Sequence, residues 1–177
     1  MRFLTLMIGA LVWLNAAAWA ATAPAPAAGE PSAVGLWEQV DEKTGKPESW
    51  FNIAEKDGIY IGTIVKMFQK PGDPPPEAWR CTKCEGAEQN APVLGLALIK
   101  GMKRKGLNYE DGTIMDPRDG SVYRALMELS PDNKRLEVRG YLGVALFGRS
   151  QTWNRLPDDA MGPAKAAPVA PPKGTKK

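Results

Sequence analysis

Ser49-Trp-Phe-Asn-Ile-Ala-Glu-Lys-Asp-Gly-Ile-Tyr-Ile-Gly-Thr-Ile-Val-Lys-Met-Phe68 reads as two strands joined at a tight turn. Trp50, Asn52 and Ala54 alternate with Phe51 and Ile53, the period of two that marks a strand with distinct faces. Asp57-Gly58 supplies the dipeptide of a two-residue hairpin, whose type I′ turn wants positive φ at both central positions. The second strand sets Ile59, Ile61, Thr63, Val65 and Met67 on one face, while Ile64 and Phe68 make the other partly apolar.

The same rhythm runs outward in both directions. Gly35 to Val40 is a short strand ahead of the polar turn Asp41 to Lys46. Beyond residue 92, strands are expected at about Leu96–Arg104, Asn108–Met115, Ser121–Leu129, Arg135–Tyr141 and Arg149–Arg155. Lys105-Gly106, Asp116-Pro-Arg-Asp-Gly120 and Pro131-Asp-Asn133 supply turn chemistry between them. About eight strands at short, even spacing, with no convincing helix, predict an all-β chain. That spacing favours a small up-and-down antiparallel barrel over a sandwich with crossovers.

The ends read differently. Arg2 begins a short basic region, Leu4 to Leu14 is apolar, and Ala18-Trp-Ala20 fits a small-residue cleavage rule before Ala21. Residues 1–20 are thus expected to be a signal peptide, too short to span a bilayer, which needs about 20 apolar residues. An Ala/Pro-rich linker (21–32), a folded domain (33–156) and an Ala/Pro/Lys-rich tail (157–177) follow. This order predicts an exported, periplasmic protein that is not membrane-spanning. The net charge of +3 owes most to tail lysines 165, 173, 176 and 177 rather than to the domain, which argues against nucleic acid as a partner.

There is no histidine in the chain. The Ser-His-Asp, Cys-His and His-containing zinc arrangements are therefore excluded. Carboxylate, Lys, Tyr or Ser-Lys chemistry remains open to an enzyme, through Glu137 or Asp116 for example, yet spacing singles out no pair. No catalytic residue, metal or cofactor is expected.

Cys81 and Cys84 lie in a Pro/Gly-rich loop from Lys70 to Pro92. A redox pair normally opens a helix after a strand, and zinc would need two further ligands. A local disulfide suits an oxidising compartment and would hold the loop's shape. Asp116-Pro-Arg-Asp-Gly120 lacks the ligand series of a calcium loop and reads as a turn.

Three structural residues bracket the domain. Gly35 and Trp37 open the first strand, and Arg155 closes the last. In a closed barrel those strands meet, so Arg155 would stack on Trp37 and plug one mouth, or the tryptophans would be unrelated core residues. Gly140 to Gly148 is an apolar corner punctuated by three glycines. Leu142, Val144, Leu146 and Phe147 there either form an exposed lip or close the core, and closing the core is the expectation.

The stretches Gly35-Leu-Trp37, DEKTGKP (41–47), CTKCEG (81–86), Pro92-Val-Leu-Gly-Leu96, GTIMDPRDG (112–120), Leu136-Glu-Val-Arg-Gly-Tyr141 and Leu146-Phe-Gly-Arg-Ser-Gln-Thr-Trp153 resemble, in order, the DUF2147 family of exported bacterial proteins. The resemblance spans essentially the whole domain. It implies a lipocalin-like single domain and brings no catalytic residue with it.

The functional expectation is a non-enzymatic binding module for a small apolar or amphipathic molecule. Tyr123, Arg139, Tyr141, Arg149 and Trp153 are its expected wall or mouth residues, and the Cys81–Cys84 loop its lid. The alternative is an envelope module that docks a protein or the cell wall through the 70–92 loop and the 142–147 corner.

Overall fold

A computed structural model describes residues 30–162. The expected signal peptide, most of the linker and most of the tail lie outside the described residues. Eight strands occupy this region: β1 (Gly35–Val40), β2 (Pro47–Lys56), β3 (Ile59–Met67), β4 (Ala97–Lys105), β5 (Asn108–Met115), β6 (Val122–Leu129), β7 (Arg135–Tyr141) and β8 (Arg149–Arg155). Each pairs antiparallel with the next, and β8 returns to β1, so the sheet closes into a barrel. Among the described residues, closure leaves no long strand edge unpaired. Single 3-10 turns at Pro76–Ala78, Gly86–Glu88 and Ala145–Phe147 complete the regular structure. Among the described residues, no helix is long and apolar enough to cross a membrane.

Asp57 and Gly58 take φ of 55° and 77°, the type I′ pair that the hairpin demands. The faces of β3 depart from the simple pattern. Its interior set is Tyr60, Gly62 and Ile64, not the longer apolar set that begins at Ile59 and Ile61. Two contacts select it: Tyr60 meets Tyr109 edge to face at 4.8 Å, and Ile99 fills the space that a side chain at Gly62 would need. Trp50 pairs with Lys66 but Phe51 with Ile64, so Val65 is the extra residue of a bulge. Past the bulge the alternation inverts, and Met67 packs against the core. The half-buried Ile59, Ile61, Thr63 and Val65 line the outer wall, where β-branched residues suit a pleated surface.

Alternating turns place the β2–β3, β4–β5 and β6–β7 connections at one end and the other four at the opposite end. The first end is closed. Trp37 fills it with Tyr60, Met102, Tyr109, Met127, Leu129 and Leu136, all buried. The Trp37 indole N–H donates to Ala33 O at 2.8 Å, and the Ala33 amide donates to the Tyr109 hydroxyl at 2.8 Å. Arg155 lies over the Trp37 ring, its Cζ 4.1 Å from the centroid. Its guanidinium donates to Asn133 O at 2.6 Å, Asn133 Oδ1 at 2.8 Å, Val34 O at 2.9 Å and Ser32 O. Burial alone pulls the Arg155 pKa down, and these acceptors supply the hydrogen bonds that its charge lost from water. Gly35 has φ +126°, and an added Cβ would stand 2.8 Å from Arg155 Nη1, so the plug needs glycine there.

Candidate functional site

The other end is open. Phe51 and Trp153 stack across β1 with ring centroids 4.3 Å apart and planes 17° off parallel, and they mark the floor between the two halves. Above them lies a cavity of about 1170 Å³, its mouth included. That exceeds the range of roughly 300–1,000 Å³ usual for small-molecule sites. Ile64, Met67, Leu98, Ile114 and Val138 give it apolar walls.

One side of the wall is polar. The Ser49 hydroxyl donates to Gln39 Oε1 at 2.5 Å, and Gln39 Nε2 donates to Gln151 Oε1 at 2.8 Å. The chain therefore ends on the Gln151 amide, which lines the cavity with N–H still to give. Trp153 stands directly across from Gln39, and its own indole N–H is buried with no partner among the described residues. An unpaired buried donor is unusual in a folded domain and costly. The Gln151 amide, a neutral donor beside apolar walls, suits a ligand that carries an acceptor oxygen.

The mouth has two contrasting sides. On one, Lys70 pairs with Glu48 and with Asp41 at 3.5 Å. The Thr44 amide and hydroxyl both donate to Asp41 and hold its carboxyl below the usual range. Nearby, Arg118 pairs with Asp116 at 2.6 Å and holds that carboxyl low as well, in the turn between β5 and β6. On the other side rises the corner between β7 and β8. Leu142, Val144, Leu146 and Phe147 are 68, 58, 80 and 81 % exposed. They form a lip and do not close the core. Gly148 explains the geometry: its Cα sits so tight against Gly140 O and the Tyr141 side chain that a Cβ would lie within 2.9 Å of both. The corner is thereby folded outward over the wall. Arg139 holds it there, donating to Ser150 Oγ at 2.8 Å and Ala145 O at 3.1 Å.

The 70–92 loop walls the mouth rather than sealing it. Pro74, Pro76, Trp79 and Val93 line the cavity, and Arg80 bridges Pro92 across the loop's base. Cys81 and Cys84 form a disulfide with Cα atoms 5.3 Å apart, and both are buried. Cys84 Sγ rests 3.3 Å from Met115 Sδ, and Cys81 Sγ 3.4 Å from Pro117 O. Gly120, at φ +77°, lies so close to the Lys83 carbonyl that an added Cβ would be 2.2 Å from it. The β5–β6 turn and the disulfide loop thus hold each other in place.

Of the residues singled out from sequence, Tyr123, Tyr141, Arg149 and Trp153 line the cavity or its mouth. Arg139 does not. It lies on the outer wall beside a shallower hollow of about 390 Å³, shared with Glu128, Glu137 and Leu146. Sequence reasoning missed the polar run Gln39, Ser49 and Gln151. Their inward phase was readable on each strand, but their meeting depends on the closure of β8 onto β1.

A family model described as "Uncharacterized protein conserved in bacteria (DUF2147)" matches residues 35–155. None of the curated proteins matches the chain. Among solved structures, the chain is similar to HP1028 of Helicobacter pylori, described as a lipocalin-family protein. The TM-score is 0.60 at 18 % identity, over 72 % of this chain and 85 % of the other. At that identity the likeness concerns the fold, an eight-stranded lipocalin-like barrel.

Proposed function

The chain belongs to the DUF2147 family, and we propose that it is an exported, non-enzymatic binding module that holds a small apolar or amphipathic molecule in the open half of its barrel. One observation carries this reading. A barrel of this size can be filled by its own side chains, yet here a concavity of about 1170 Å³, its mouth included, opens above the Phe51–Trp153 stack. The lipocalin likeness supports a binding role at the level of fold class. The Ala18-Trp-Ala20 motif supports export to the periplasm.

Tyr123, Trp153 and the Gln151 amide would contact the bound molecule, with Tyr141 and Arg149 at the mouth. The 70–92 loop would act as a side wall or lid. Burying an alkyl chain in this space is worth about 0.8 kcal/mol for each methylene removed from water. Native mass spectrometry of the protein purified from its own compartment, followed by solvent extraction, tests the reading. The expected result is a stoichiometric small molecule with an apolar part. A bare trimmed mass that takes up no added apolar probe would contradict it. The exposed corner favours a second role for the same rim as an interaction surface.

A further inference from the structure

We infer that the lip at residues 142–147 docks this protein on the surface of an anionic phospholipid bilayer, with the cavity mouth turned toward the membrane. This goes beyond ligand carriage and does not depend on it. Four large apolar side chains exposed on one short corner are more than a soluble surface needs, and Leu146 and Phe147 exceed 80 % or stand at it. The backbone bends at Gly143 (φ +71°) and Gly148 to hold them outward, and Arg139 fixes that bend through Ala145 O. The exposure is built in.

Charge selects the occupant. Arg149 follows the lip directly, and Arg124 faces Tyr141 at its base across the β6–β7 pairing. Both are exposed, and neither takes part in an ion pair among the described residues. The neighbouring Asp116 is neutralised by Arg118. Of the carboxylates in the hollow beside Leu146, Glu137 meets Arg139 at 3.7 Å and Glu110 pairs with Lys105 at 2.6 Å, which leaves Glu128 against the two arginines, while Glu42 and Asp73 line the far side of the mouth. Apolar side chains flanked by unpaired guanidinium groups match the layered chemistry of a bilayer interface, acyl chains beneath phosphate. The carboxylates opposite would tilt the mouth, so that the lip enters first.

The test is flotation of the full exported chain with vesicles of equal parts phosphatidylglycerol and phosphatidylcholine, beside vesicles of phosphatidylcholine alone. The wild type is expected to float with the anionic vesicles. Leu146→Ser with Phe147→Ser should weaken that binding roughly tenfold or more. Arg149→Gln and Arg124→Gln should each weaken it roughly fivefold, an effect that fades at high salt. These side chains are exposed, so unchanged thermal melting by circular dichroism certifies the fold of each variant. Three results would overturn the inference. They are no flotation of the wild type, equal flotation of the lip variant (which would assign binding elsewhere, such as the lysine-rich tail), or a vesicle-free dimer that the lip variant dissolves.

Discussion

Trp37 and Trp153 stand on neighbouring strands, face the same interior and are equally buried, but their surroundings differ. Trp37 has its N–H on Ala33 O and a guanidinium on its face. Trp153 has an aromatic neighbour and a donor with no partner among the described residues. The contrast extends to the two ends of the barrel. At the closed end the polar groups around the plug are hydrogen-bonded, and the space is filled. At the open end donors are left over, the walls stand apart, and large apolar side chains face solvent. The plug thus belongs to one end, and the proposed binding to the other.

Removing each ring in turn should separate the two ends most widely. Trp37→Ala should cost about 3–5 kcal/mol in urea unfolding, the usual range for a fully buried Trp. Trp153→Ala should cost less, because no indole hydrogen bond among the described residues and no cation–π contact is lost with the ring. Equal costs would mean that the two ends are packed alike.

Losing the disulfide comes next. Cys81→Ala with Cys84→Ala, which buries no hydroxyl, should cost about 2 kcal/mol by the loop-entropy relation for so small a ring. Hydrogen exchange should rise at the Cys81 and Asn90 amides, which are tied within the loop, and stay unchanged in β4 to β8. Exchange rising throughout the barrel would make the loop part of the core rather than a fitting at the mouth.

A finer probe keeps both rings. Trp37→Phe should destabilise by about 1 kcal/mol, because it leaves Ala33 O without its donor. Trp153→Phe loses similar packing but removes a donor with no partner among the described residues, so it should cost less than Trp37→Phe by about 1 kcal/mol. If the two cost the same, the Trp153 indole has a partner in solution.

The smallest effect is that of acid. Asp41 and Asp116 at the mouth have carboxyls held below their ordinary 3.8. Their contribution is complete above that value and is lost as pH falls through the lower, folded pKa. Thermal melting should therefore drop below about pH 4, and Asp116→Asn should flatten that drop without altering the melt at neutral pH by much.

The strand pattern was legible because it is local. Period-two alternation and the Asp57-Gly58 turn depend on a few adjacent residues, and the eight strands fall where those signals place them. The faces of β3 were not, because Val65 is spent on a bulge that appears only when β2 and β3 are paired. Hollowness was illegible for a different reason. It depends on summed side-chain volume at each level of the barrel, and Gln39, Ser49 and Gln151 join only after β8 closes on β1. The lip misled because an apolar corner reads the same whether it turns in or out. Here the close approach of Gly148 to Gly140 O decides it.

The proposed binding role requires that the upper half of the barrel be an occupiable cavity. Titration with an uncharged fluorescent apolar probe, N-phenyl-1-naphthylamine, tests it most directly when the wild type is compared with Ile114→Trp, which places an indole in that space. The wild type is expected to bind the probe saturably at one to one, and the filled variant to lose that binding while still melting cooperatively. No saturable binding by the wild type, or undiminished binding by the filled variant, would contradict it.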